Sequence, residues 1–275
     1  MVAFIQKNDD LDPANVLIVD AMNVAFRWKH QGATKFASDY VRTVKSLARS
    51  YKCGTIVIAA DQGGSVYRKE IHPDYKANRK ELYANDTPEQ KEATRLFFDE
   101  YERVLEACDK EFILLRYQGV EADDIAAYIV KQRGSLGIER IWLISSDRDW
   151  DLLVDENVSR FSTVTRKEQT VDTWDNPVPR EDYLSFKCLT GDKGDNIPGV
   201  EGVGPKRAAE LITQYGGVFE IHDSLPITGK AKYIQNINSF GNQLLVNVEL
   251  MDLLTYCDEA LGKANCVDIE NRLAR

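Results

Sequence analysis

With 275 residues the chain can bury a full core, as one large domain or one with a small appendage. It is 43% hydrophobic and 29% charged, an ordinary globular composition, and no apolar run approaches the roughly 18 residues of a membrane span. The formal net charge of −9 argues against a nucleic-acid partner, unless the acids are gathered in one place and neutralised by cations. Residues 1–10 lack the charged start and long apolar centre of a signal peptide. Five scattered cysteines and three histidines disfavour a disulfide framework or a zinc site, and a reducing cytoplasm fits best.

The first predicted element is a buried strand over residues 15–20, four apolar residues ending in Asp20. A helix is predicted from residue 36 to about 52. A second strand over 55–61 repeats the pattern and ends in Asp61. Residues 67–85 differ in character: bases alternate with aromatics, including Tyr75, Lys76 and Arg79, without apolar periodicity. Such a mixture suits single-stranded nucleic acid, which bases grip and aromatics stack on, but it also describes a solvated loop. A helix runs from Pro88 to about residue 108, started by Asp86 and Thr87. A strand over 112–117 follows, without a terminal acid.

Residues 119–124 place Glu121, Asp123 and Asp124 within four positions at the head of an apolar helix reaching about residue 132. Acids favour a helix N-terminus, yet capping needs one, and three crowded carboxylates repel one another. A bound cation explains them better. A third acid-ending strand, 141–147, leads into Asp147 and Asp149. Asp151 is read as a helix-start residue. Any single aspartate after a strand is commonly just a cap, but three in succession are not so easily dismissed. Strands alternating with helices give a mostly parallel central sheet covered on both faces, with ligands bound beyond the carboxyl ends of its strands.

Beyond residue 161 helices dominate. One over 180–190 leads to Asp192 and Asp195, which share a face if their segment is helical. Gly202 and Gly204 then form a hinge, and Pro205 suits the first position of a helix ending near residue 215. Lys206 and Arg207 lie in its first turn, where open backbone N–H groups attract phosphate. Residues 225–232 resemble a second such entry, with Lys230 and Lys232 near its start, and 236–254 continue as helix. An all-oxygen set of nine acids selects magnesium or manganese, and two such ions about 4 Å apart suit in-line displacement at phosphorus. No P-loop motif supports an ATP-driven reaction.

Asp20, Asp61, the Glu121–Asp124 cluster, Asp147 and Asp149, the Tyr75–Arg79 run and residues 191–200 together resemble, in the same order, the 5′-nuclease family. That family includes phage flap endonucleases of the T-odd type and the 5′-nuclease domain of bacterial DNA polymerase I. The resemblance spans about residues 15–254. It implies an α/β PIN-like nuclease domain over 1–185 with a helical arch at about 67–90. A helical DNA-binding region with a helix–three-turn–helix element would follow over 186–275.

It further implies that Asp20, Asp61, Glu121, Asp123 and Asp124 surround one metal ion, some through water, and that Asp147, Asp149, Asp192 and Asp195 hold another. Mg2+ is the expected ion, with Mn2+ as a substitute. Lys76, Arg79, Arg27 and Lys187 would act at the scissile phosphate. Tyr75, Lys76 and Arg79 would contact the threaded strand. Gly202, Gly204, Lys206, Arg207, Lys230 and Lys232 would grip duplex DNA, with K+ at the turn. The expected activity is a flap endonuclease and 5′→3′ exonuclease acting as a monomer on branched DNA with a free 5′ end, with no membrane partner, in the cytoplasm of a host if phage-encoded. Two other readings compete: a non-catalytic branched-DNA binding module, and a magnesium-dependent RNase.

Overall fold

The computed structural model describes residues 11–79 and 86–274, so part of the expected arch lies outside the described residues. Its sheet contains β1 (Asp12–Asp20), β2 (Cys53–Ala60), β3 (Ile113–Arg116), β4 (Arg140–Ile144), β5 (Val158–Phe161) and β6 (Glu168–Gln169). In space they run β3-β2-β1-β4-β5-β6, all pairs parallel except the last. β1 is central, and its residues Val16 to Val19 are buried because both faces of the sheet are covered. The order turns around at β1, so the crevice beyond the ends of β1 and β4 is the topological switch point. Asp20 and Asp147 lie there.

Helices α1 (Ala21–His30), α2 (Ala37–Ser50), α3 (Val66–Ile71), α4 (Pro88–Asp109) and α5 (Ala122–Lys131) fill the connections. Val24, Tyr40, Val44, Phe97 and Val104, from α1, α2 and α4, cover one face with Leu17, Val19 and Ile58. Ile125 and Ile129 of α5 cover the other with Ile18, Val57 and Leu115. α4 begins as expected, with Pro88 in its first turn and a reciprocal Thr87–Gln90 capping box. The predicted strands and these longer helices all form. α1 carried no expectation, and α3 falls at the start of the expected arch.

The remainder holds α6 (Tyr183–Thr190), α7 (Pro205–Tyr215), α8 (Val218–Asp223), α9 (Lys232–Ser239), α10 (Gly241–Met251), α11 (Leu253–Leu261) and α12 (Lys263–Leu273). The expected helix over 236–254 is broken twice, at Phe240 between α9 and α10 and at Asp252, whose carboxylate caps α11 by accepting from Thr255 N–H. The segment after residue 257, which carries no motif, has a structural role. Leu253, Cys257, Leu261, Cys266 and Ile269 join Ile125, Tyr128 and Ile129 in the core beneath the sheet. Among the described residues no helix is long and apolar enough to cross a membrane.

A candidate active site at the carboxyl edge of the sheet

Each of the sheet-edge acids has a local structural task. Asp20 ends β1 and accepts from Asn23 N–H at 3.0 Å, capping α1, while Ser145 Oγ donates to its other oxygen at 2.8 Å. Asp61, just past β2, accepts from Ala122 N–H at 2.6 Å and so fixes the start of α5. Asp123 accepts from Trp150 Nε1 at 2.6 Å. Asp147 caps the short 3-10 helix Arg148–Leu153 through Asp149 N–H. The capping readings are therefore correct for Asp20 and Asp147, but they do not exhaust these residues.

The acids also repel one another. Burial, then the charges of Asp61 and Asp147, push the Asp20 carboxyl up to about 7. Burial and Glu121 raise that of Asp61. Asp123 lies well above the usual carboxylate range through burial and the charges of Asp147, Glu121 and Asp61. Asp147 is pushed up to about 6 by loss of hydration and by Asp149. Acids that feel each other this strongly share one pocket.

Three cationic side chains reach into it. Lys76 has φ +56° and places Nζ 2.8 Å from Glu121 Oε1 and 3.5 Å from Asp195 Oδ2. Arg79 Nη2 lies 2.8 Å from Asp195 Oδ1. Lys187, buried on α6, pairs with Asp149 and sits 3.3 Å from Asp192. Burial disfavours the Glu121 charge, but Lys76 and Arg68 outweigh it and hold its carboxyl below the ordinary range. Lys187 and the amides of Asp195 and Gly194 do the same for Asp192.

Asp192 and Asp195 are not on a helix. α6 stops at Gly191, whose φ of +71° a side chain would strain, and a tight loop follows. Asp192 and Ile197 exchange backbone hydrogen bonds of 2.9 and 2.8 Å across it. Asp192 Oδ1 accepts from Gly194 N–H at 2.8 Å. The loop aims Asp192 at Lys187 and Asp195 at Lys76.

Asp124 does not join the pocket. It is 0% exposed, and both its oxygens accept from Arg68, at 2.8 Å each. Both oxygens are taken up by a buried guanidinium rather than turned to the other acids. Arg68 had no signal in the sequence, since its partner lies 56 residues away. Tyr75 is also corrected. At 3% exposed it offers no ring face to DNA, and its hydroxyl, with one proton to share, lies 2.9 Å from Glu121 Oε2 and 3.0 Å from Asp195 Oδ2. Asp151 lies within the 3-10 helix, buried, and pairs with Arg160 Nε.

Among the described residues no group of three or more His, Cys, Asp or Glu side chains is arranged as a ready ion cage. In the pairs above, the ammonium group of Lys76 bridges Glu121 and Asp195, and that of Lys187 bridges Asp149 and Asp192. Positive charge is thus already seated where the crowded acids need it.

The remaining site residues lie elsewhere. Arg27 is exposed on α1, its guanidinium 5.7 Å from the Trp28 ring, and lines a cleft with Arg42 and Arg166. On the helical part, Gly202 has φ +82° and Gly204 caps α7 without a side-chain bond. Arg207 donates to Gly202 O at 2.6 Å and lies 4.7 Å from the Tyr233 ring. Lys206 is exposed, and so is Lys232, 3.2 Å from Glu201. Lys230 is exposed between α8 and α9. These bases face solvent, apart from the acids.

Residues 15–177 match the family described as 5′–3′ exonuclease, N-terminal resolvase-like domain, and residues 178–268 match 5′–3′ exonuclease, C-terminal SAM fold. The chain belongs to the 5′–3′ exonuclease family. This exonuclease is 47% identical over 252 residues to the flap endonuclease of Escherichia phage T5, covering 90% of the present chain and 86% of that protein. The solved structure of T5 5′-exonuclease with zinc superposes with a TM-score of 0.90 at 44% identity, over 94% of this chain and 98% of that one. The T5 flap endonuclease in a pseudo-enzyme–product complex with DNA and metal ions gives 0.90 and 44% again, over 94% of this chain and 97% of that one. The PIN-like sheet and the helical, SAM-like C-terminal part are therefore those of a nuclease.

Proposed function

We propose that this exonuclease is a structure-selective 5′ flap endonuclease and 5′→3′ exonuclease. It hydrolyses DNA phosphodiesters with divalent metal ions, leaves a 5′-phosphate and a 3′-hydroxyl, and serves replication by removing flaps and primers. The observation that carries this reading is the meeting of acids from β1, β2, the head of α5, the end of β4 and the loop after α6 at one sheet edge, with Lys76 and Lys187 among them.

The donor set suits hard divalent cations. The donors are all oxygens, and the five cysteines are buried and free. The raised Asp20, Asp123 and Asp147 carboxyls mark excess negative charge that a cation relieves. Asp20, Asp61, Glu121 and Asp123 would hold one ion, and Asp147, Asp149, Asp192 and Asp195 a second. Mg2+ is the expected metal. When bound, such a pair supplies Lewis acidity at phosphorus and lowers the pKa of the attacking water.

The chain's own residues do the rest. Lys76 and Arg79 exchange Glu121 and Asp195 for the non-bridging oxygens of the scissile phosphate, where charge develops. Lys187 keeps the Asp149 and Asp192 charges together until substrate arrives, and Arg27 grips a neighbouring phosphate. The turn at 202–207, with Lys206, Arg207, Lys230 and Lys232, holds duplex DNA, with K+ at its carbonyls. A single-stranded 5′ end would pass through the expected arch, by Lys76 and Arg79. The unit of action is a monomer whose first 185 residues form the α/β nuclease domain and whose later helices bind duplex DNA and lend Lys187, Asp192 and Asp195 to the cutting centre.

The test is magnesium-dependent cleavage of a 5′-labelled flap duplex, with an RNA hairpin alongside. Products that map to the junction, with the RNA uncut, are expected. Equal cleavage of both substrates, or none of the flap, overturns the reading.

A further inference from the structure

The loop over residues 191–199 presents Asp192 and Asp195, and its two stems touch backbone to backbone. A Cβ on Gly191 would lie 2.2 Å from Gly199 N, and one on Gly199 would lie 2.2 Å from the Thr190 carbonyl carbon. Packing this close has no room for a side chain, but it does not fix how the loop is placed against the sheet. A side chain on α10 does. Asn247 is 0% exposed among apolar neighbours and donates from Nδ2 to Cys188 O at 2.9 Å and to Pro198 O at 2.7 Å. One N–H serves each stem. Its Oδ1 accepts from Gln243 Nε2 at 3.0 Å, which orients the amide. A buried amide costs free energy unless its bonds are made, and here both N–H groups are spent on the two stems.

The same helix reaches the other acids. Leu250 O, within one turn of Asn247, accepts from Arg68 Nε at 2.9 Å. Arg68 in turn grips Asp124 and lies 3.6 Å from Glu121. We infer that Asn247 is a positioning residue which, with α10 as the common frame, sets the distance between the Asp192–Asp195 pair and the acids at the sheet edge. This deepens the nuclease reading and rests on it. Asn247 is fully buried and its side-chain hydrogen bonds go to two backbone carbonyls and Gln243 rather than to an acid, so its effect is on where the loop sits.

Asn247→Leu keeps the branched shape and removes both donors, leaving Cys188 O and Pro198 O without that partner. Gln243→Met, on a half-buried residue, only frees the amide to turn. Three readouts on the full chain separate positioning from general destabilisation: amide hydrogen exchange of residues 189–200 without metal, Mn2+ affinity by calorimetry, and kcat against KM on flap DNA. For Asn247→Leu, faster exchange confined to the loop, weaker Mn2+ binding, a kcat about 10- to 100-fold lower and a KM within about threefold are expected. Gln243→Met gives a smaller change in the same quantities. Unchanged loop exchange and Mn2+ affinity in either folded variant overturn the inference, and Gln243→Met decides alone if Asn247→Leu does not fold. Variants that show the loop effect, beside a wild-type chain that binds Mn2+ but cuts no flap, would instead refute the nuclease reading.

Discussion

Replacing Arg68 by methionine tests the assignment of Asp124 to structure. The pair is bidentate at 2.8 Å on both arms, and the arginine and aspartate are 4% and 0% exposed. Arg68 also donates to Leu250 O and Ser65 Oγ, so it joins α3, α5 and α10. Removing it strands a carboxylate where water cannot enter, and breaking such a buried pair costs about 3–5 kcal/mol. In a chain of this size about 1 kcal/mol corresponds to roughly 2–4 °C, so the melting temperature should fall by about 6–20 °C. Thermal unfolding followed by circular dichroism in EDTA measures it. The double variant Arg68→Met/Asp124→Leu should recover much of the loss, because a well-packed apolar pair carries no stranded charge. A loss below about 1 kcal/mol in the single variant, or no recovery in the double, would refute the reasoning.

Asp147→Asn and Asp192→Asn should each lower turnover by orders of magnitude while flap binding, followed by fluorescence anisotropy, stays within a few-fold; full activity in both removes them from the mechanism. Lys76→Ala should slow single-turnover cleavage more than it weakens binding, and an unchanged rate would exclude contact with the scissile phosphate. In EDTA, stability should fall as pH rises from 5 to 8. The Asp20 carboxyl moves from 3.8 to about 7 and Asp147 to about 6 on folding, so the native state binds more protons across that window. For Asp20 the effect is on the order of 4 kcal/mol at most. The lowered Glu121 and Asp192 carboxyls act oppositely but chiefly below that window. Magnesium should flatten the slope, and a melting temperature that rises with pH in EDTA would contradict the charge crowding.

The acid-ending strands were legible because a buried parallel strand writes itself as a continuous apolar run, and the acid then falls at the ligand-binding edge. The Asp192–Asp195 loop was only half legible. Spacing gave the two carboxylates, but the φ of Gly191 and the backbone pairing of Asp192 with Ile197 decided that they sit on a turn. Asp124 misled because its neighbours are pocket acids, and only a residue distant in sequence, Arg68, distinguishes it. Tyr75 read as a stacking ring because composition reports an aromatic and not the two carboxylates that its hydroxyl finds. The break at Asp252 had a visible signal, an aspartate three residues before Thr255 at a helix start, masked by apolar residues on both sides.

The return of α11 and α12 to the sheet ties the middle of the sequence to its end. Leu253, Cys257, Leu261, Cys266 and Ile269 shield the side of α5 that faces away from the strands, and α5 opens with the turn bearing Glu121 and Asp123. During synthesis that turn is made long before its cover exists. A nascent chain therefore has its acids in sequence before the helices that cover α5 have been made.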